Sequence, residues 1–168
     1  MAFDYRFAHK EANFGPPLKR QVPGGAHVTF EIVPVYRGKA IAVRRYSIPG
    51  HEPPPASPQH TEGMLFFCHD LIRYAEPFDK FVQRIVKSQI GVNVKSYRVV
   101  DFESFYQGKD DHWALLGYVI AEVDKLPKPG RYGNRISEVI AFTSRHVPEA
   151  FAWWSTAEVR AFVKKRIE

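Results

Sequence analysis

The sequence predicts an α/β protein, and three observations predict it. Two segments rich in β-branched and aromatic residues, 27–36 and 40–46, flank an Arg37-Gly38-Lys39 turn. Downstream, Phe78, Phe81, Val82, Ile85, Val86 and Gln89 recur at the i, i+3, i+4, i+7 spacing of an amphipathic helix. Two longer β-rich segments, 92–106 and 112–123, then flank a polar turn. At 168 residues, the chain is one domain by length and can bury a sizeable core.

Taken in order, the chain opens with an N-terminal arm over residues 1–25, followed by a single domain over 26–168. The arm is punctuated by Pro16-Pro17 and Pro23-Gly24-Gly25 and reads as loop, with Phe3, Tyr5 and Phe7 alternating as in a short edge strand. Pro34 in the first strand cannot donate to a ladder, and an edge position or a bulge would tolerate it. The second strand ends in Arg44-Arg45. Residues 47–63 carry Pro49, Pro53, Pro54, Pro55 and Pro58, which forbid a helix or central strand and predict a long loop of polyproline character. His51, Glu52, His60 and Glu62 lie in this loop, but their spacing matches no standard metal site.

Residues 64–67 read as a short apolar strand. Pro77 suits the start of the helix that follows, and Gly91 suits its C-terminal stop. After the two β-rich segments, 126–133 is loop, punctuated by Pro127, Pro129, Gly130 and Gly133. Ile136, Val139, Ile140 and Thr143 have helical spacing and predict a short helix over 136–146. The segment from Phe151 to Trp154 reads as a strand before a closing helix, which Ser155 or Thr156 can cap with Glu158 in its first turn.

The net charge is +6 at neutral pH, a bias toward anionic ligands that also serves plain solubility. The positive charge is scattered apart from Lys164-Lys165-Arg166, which fits a solvated helix face. The single Cys68 excludes an internal disulfide and an all-cysteine zinc cluster, and fits a reducing compartment. No apolar run is long enough for a signal peptide or a membrane span, so the expectation is a cytoplasmic protein without a membrane partner.

From Asp70 to Val92 the chain resembles the Nudix box, G-x5-E-x7-R-E-U-x-E-E-x-G-U with U aliphatic, in one gap-free frame. Glu76 takes the first Glu, Arg84 the Arg, Val86 and Val92 the aliphatic positions, and Gly91 the closing Gly. Asp70 replaces the opening Gly, while Ile85, Ser88 and Gln89 replace the three metal-binding Glu residues. The hairpin before the box, the strand pair after it and the closing helix resemble the Nudix order as well. The resemblance implies an α/β/α sandwich with a mixed central sheet.

It also implies a chemistry. Nudix hydrolases cleave a nucleoside diphosphate linked to another group, using divalent metals held by Glu side chains from successive helix turns. Positions 85, 88 and 89 share one helix face, and here they offer no carboxylate. Glu76 alone keeps a family acid position. Arg84 fits a salt bridge to Glu76 or the box loop, or direct phosphate binding. With Arg44, Arg45 and Glu76 it forms the candidate ligand-binding set. His69 and Asp70, where the family has its Gly-Gly turn, fit an ordinary polar loop or, with Glu76, a relocated acid, base or metal ligand. Asp110, Asp111 and His112 fit a tight turn equally well. Glu103 and Glu122 lie on strands whose facing the sequence leaves open. Cys68 and His69 are strand neighbours and point to opposite faces, which argues against a Cys-His nucleophile.

Three functions fit these residues. The first is a nucleotide or phosphorylated-ligand binding protein without the family's metal-dependent hydrolysis, and so with no metal site. The second is a divergent hydrolase using Mg or Mn held by acids recruited from loops, with Glu62, Asp70, Asp110 and Asp111 as candidates. The third is an RNA-binding or protein-interaction module on the same scaffold. Nudix proteins are often dimers, so a homodimer is a further expectation.

Overall fold

A computed structural model describes residues 25–47, 59–61, 63–107, 112–130 and 135–168. The elements in chain order are β1 (Ala26–Tyr36), β2 (Lys39–Arg45), β3 (Cys68–Leu71), α1 (Phe78–Ile90), β4 (Val94–Gln107), β5 (His112–Val123), β6 (Ile136–Phe142) and α2 (Thr156–Arg166). The sheet has six strands in the order β4-β5-β1-β2-β6, with β3 paired to β1 off that path. β1 runs parallel to β5 and antiparallel to β2 and β3, so the sheet is mixed.

The β1–β2 hairpin closes through two residues, Arg37 and Gly38, with Tyr36 opposite Lys39. Both have positive φ, 49° and 72°, the backbone that two-residue hairpins favour because its twist matches the strands. Pro34 lies inside β1, opposite Ala121 of β5, in a central strand and not at an edge. It falls where the neighbour on the other side changes, from β3, paired through Ile32, to β2, paired from Val35.

Alternation along β1 separates two cores. Phe30 and Ile32 face α1, whose Phe81, Val82, Ile85, Val86 and Ile90 are buried in the same cluster. Val33 faces the opposite way and packs with Leu65, Phe67, Phe142, Phe151 and α2 residues Val159 and Val163. The sheet is thus sandwiched between the two helices, as the resemblance implies. α1 begins after Pro77 and ends at Gly91, whose φ of 74° is the left-handed stop. Ser155 caps α2 in a reciprocal capping box with Glu158.

The structure corrects four expectations. Residues 136–146 hold strand β6, not a helix, and β6 pairs antiparallel with β2 from Ala40–Phe142 to Arg45–Ile136. Ile136, Val139 and Ile140 fit both periods over so short a run, and their β-branched side chains suit a pleated surface beside β2. The strand before the box is Cys68–Leu71, while Leu65 and Phe66 make only isolated bridges, to Phe151 and Val43. His69 and Asp70 therefore belong to a strand and not to a loop. Residues 151–154 are likewise not a strand beyond the single bridge at Phe151.

The expectations for the arm, Asp110, Asp111, Glu62 and most of the proline-rich loop fall outside the described residues. Among the described residues no helix is long and apolar enough to cross a membrane.

Candidate functional site

A cleft of about 750 Å³ opens between the sheet and α2, a size suited to a small-molecule ligand. His27, Thr29 and Glu31 of β1 line it from the face that carries Val33, with His69 of β3 beside them. β4 adds Asp101, Glu103 and Phe105, and β5 adds Leu116 and Tyr118. The opposite wall is α2, with Phe162, Lys165 and Arg166, and the segment before it, with Trp153 and Trp154.

A carboxylate lies in the sheet wall. Glu31 is only 3% exposed, and its Oε2 lies 2.8 Å from His69 Nδ1. An ionised carboxylate can only accept, so Nδ1 carries a proton; in the neutral ring Nε2 then accepts from the Thr29 hydroxyl, 3.0 Å away. Trp153 lies over this group, its ring centroid 5.7 Å from that of His69 at an interplanar angle of 32°. Tyr118 donates to Glu103, and burial, followed by that hydrogen bond, pushes its phenol above the usual range. Arg166 donates to Asp101 at 2.8 Å, tying α2 to the edge strand β4. At the end of the cleft, His27 meets His112, ring centroids 4.4 Å apart. Burial, then His112 and His69, holds the His27 imidazole below its ordinary pKa.

Of the candidate site residues singled out from sequence that are described, the cleft contains His69 and Glu103, and Glu122 is not among its lining. Glu76 and Arg84 form a two-point pair at the loop–helix junction, Nε to Oε1 at 2.6 Å and Nη2 to Oε2 at 2.7 Å. Glu76 also accepts from the Arg73 amide at 3.1 Å. The Arg84 hydrogen bond is the main reason the Glu76 carboxyl is pulled down to about 2. Asp70 lies 3.5 Å from Arg84 on its other side. Arg44 donates to Glu138 at 2.9 Å and to the Gly63 carbonyl. The Arg45 guanidinium sits over the Phe66 ring at 4.5 Å.

On α1, Ile85 is fully buried and the Ser88 hydroxyl donates to the Ile85 carbonyl at 3.1 Å. The Gln89 amide bonds the backbone of His69 at both its N–H and its carbonyl. Cys68 lies in the α1 core and His69 in the cleft, opposite faces as strand neighbours require. Among the described residues, no three His, Cys, Asp or Glu side chains are grouped to hold a metal ion.

Sequence reasoning left out Thr29, Glu31, Tyr118 and Trp153. One signal was available for Glu31: a charged residue at an inward position of the strand Phe30-Glu31-Ile32-Val33, where isolated apolar packing would not place it.

No protein-family model matches the sequence, and no curated protein is similar to it. The fold, however, is similar to several solved structures. A MutT Nudix hydrolase from Burkholderia pseudomallei aligns with a TM-score of 0.57 at 11% identity, over 85% of this chain and 98% of that one. The Nudix domain of Shewanella oneidensis NrtR, complexed with ADP ribose, gives 0.57 at 12% identity, over 85% and 89%. An ADP compounds hydrolase gives 0.54 at 16% identity, over 83% and 71%. The chain has the Nudix fold.

Proposed function

We propose that this protein binds a nucleotide or a related phosphorylated small molecule in the cleft between the sheet and α2, without the metal-dependent hydrolysis of the Nudix enzymes. The observation that carries the reading is the cleft itself: an aromatic face at Trp153, a polar group at Glu31 and His69, and a cation, Lys165, on the α2 wall, where Arg166 is already paired with Asp101. A base has a surface to stack on, and a phosphate has a cation to meet. The ADP ribose complex of the NrtR domain supports the same class of ligand.

The residues of α1 do not fit a metal held by helix carboxylates. Magnesium takes oxygen ligands, largely carboxylates, phosphates and water. Ile85 is packed in the core, Ser88 bonds its own helix, and the Gln89 amide is taken up by His69. Glu76 is bound up with Arg84 and the Arg73 amide. The reading puts the protein in the cytoplasm, where a lone cysteine needs no partner.

A thermal-shift panel tests this: nucleotides, nucleoside diphosphate sugars, ADP ribose and short RNA, each with and without magnesium or manganese. A bound ligand at 100 times its dissociation constant adds about 2.7 kcal/mol. Stabilisation by a nucleotide in EDTA supports the reading. Stabilisation only with metal, followed by product release, shows a divergent hydrolase with recruited carboxylates. Stabilisation by RNA alone, lost steeply with salt, shows a nucleic-acid module.

A further inference from the structure

Among the described residues, one side-chain oxygen of the cleft has no hydrogen-bond partner. Oε1 of Glu31 is buried and accepts no hydrogen bond from the described residues, while Oε2 takes the His69 Nδ1–H. The other three carboxylates of the cleft are committed. Asp101 accepts from Arg166, Glu103 from Tyr118, and Glu158 from the backbone and hydroxyl of Ser155. Native proteins seldom leave a buried polar atom unsatisfied, and each exception calls for an explanation, a bound group among them. What completes this one must donate a proton in a hydrogen bond. A phosphate does not qualify, because it would set a second anion against the carboxylate.

The surroundings narrow the donor further. Trp153 is 62% exposed, the most exposed aromatic ring on the cleft, and lies across His69 at 5.7 Å. It offers a flat apolar face within the same site, on which a planar heterocycle can stack. Oε1 is shut off from water, so the incoming ring must displace what covers it.

We infer that Glu31 is the residue that reads the base. The ligand enters with an exocyclic amino group toward Oε1 and a face against Trp153, leaving its phosphate for Lys165. This rests on the nucleotide reading above and adds a class to it: nucleotides whose base carries a donor at that edge. His69 is the positioning residue, since its Nδ1–H holds Oε2 and so aims Oε1.

The test is calorimetric titration of the full chain with matched pairs. Adenosine monophosphate is compared with purine riboside monophosphate, which lacks the 6-amino group. Guanosine monophosphate is compared with inosine monophosphate, which lacks the 2-amino group. In one pair or both, the amino-bearing member binds about tenfold tighter or more, the scale of one hydrogen bond to a charged acceptor. Glu31→Gln removes the charge and brings that ratio to near one. Trp153→Ala weakens both members of a pair together and leaves the ratio intact. Binding of both pairs by the wild-type protein without any preference overturns the inference and leaves the nucleotide reading standing. An unchanged ratio in Glu31→Gln overturns it too. If no nucleotide binds at all, both readings fall. The wild-type ratio decides the matter alone if Glu31→Gln does not fold.

Discussion

The side-chain amide of Gln89 takes both backbone polar groups of His69: the His69 N–H donates to Oε1 at 3.1 Å, and Nε2 donates to the His69 carbonyl at 2.8 Å. The last turn of α1 is thereby fixed to β3 at the residue whose ring enters the cleft. A carboxylate at this position could accept from the N–H but would press a second acceptor against the carbonyl.

Gln89→Glu, which restores the residue the Nudix box has here, therefore destabilises this protein. The loss expected is about 1–3 kcal/mol, the cost of an unpaired polar group and its repelled neighbour. Urea denaturation at neutral pH measures it. Stability equal to wild type would mean that the amide contributes nothing to holding β3.

The Glu76–Arg84 pair gives a pH dependence with a defined sign. The Glu76 carboxyl falls from an ordinary 4.5 to about 2, chiefly through its hydrogen bond from Arg84. Its folded pKa lies below its unfolded one, so its contribution is complete above about pH 4.5 and is lost as the pH falls toward about 2. Glu76→Gln should flatten the decline in stability across that window relative to wild type. Denaturation midpoints between pH 2 and 6 check this, and parallel curves for the two proteins would contradict it.

Gly117 is needed for packing. A Cβ there would stand 2.3 Å from Cε1 of Phe30 and 2.9 Å from Phe102. Phe102 is half exposed and can move, but Phe30 is 4% exposed and held against Phe78 and Phe81. Gly117→Ala should cost about 1–3 kcal/mol by overpacking. An unchanged melting temperature would show that β5 shifts to make room.

Cys68 is fully buried, and that burial pushes its thiol up to about 12. It should resist an aromatic disulfide reagent in the folded protein and react stoichiometrically only in denaturant. Rapid labelling of the native protein would place the thiol nearer the surface than β3 allows.

The elements that local chemistry dictates were legible in the sequence. Phe81, Val82, Ile85 and Val86 give α1 its stripe, Gly91 its stop, and Ser155 with Glu158 the start of α2. The Arg37-Gly38 turn and the β4–β5 pair follow from turn chemistry and β-rich composition. β6 was not legible, because Ile136, Val139 and Ile140 suit either period and only pairing with β2 decides between them. The cleft was legible least. His69, Glu31, Tyr118 and Trp153 come from four separate segments, and their meeting depends on the strand order and on which face each strand residue takes. The resemblance to the Nudix box drew attention to Glu76 and Arg84, whose contacts join the loop to α1 and lie away from the cleft.

Under the proposed function, ligand binding in that cleft needs no metal. The most direct measurement is calorimetric titration of the best-stabilising nucleotide into wild type and Trp153→Ala, in EDTA and again in magnesium. The affinity of wild type should be the same in both buffers, with no product formed, and Trp153→Ala should weaken it by about tenfold or more, the scale of one base–aromatic stack. Binding that requires magnesium and ends in cleavage, or that is indifferent to Trp153, would contradict it.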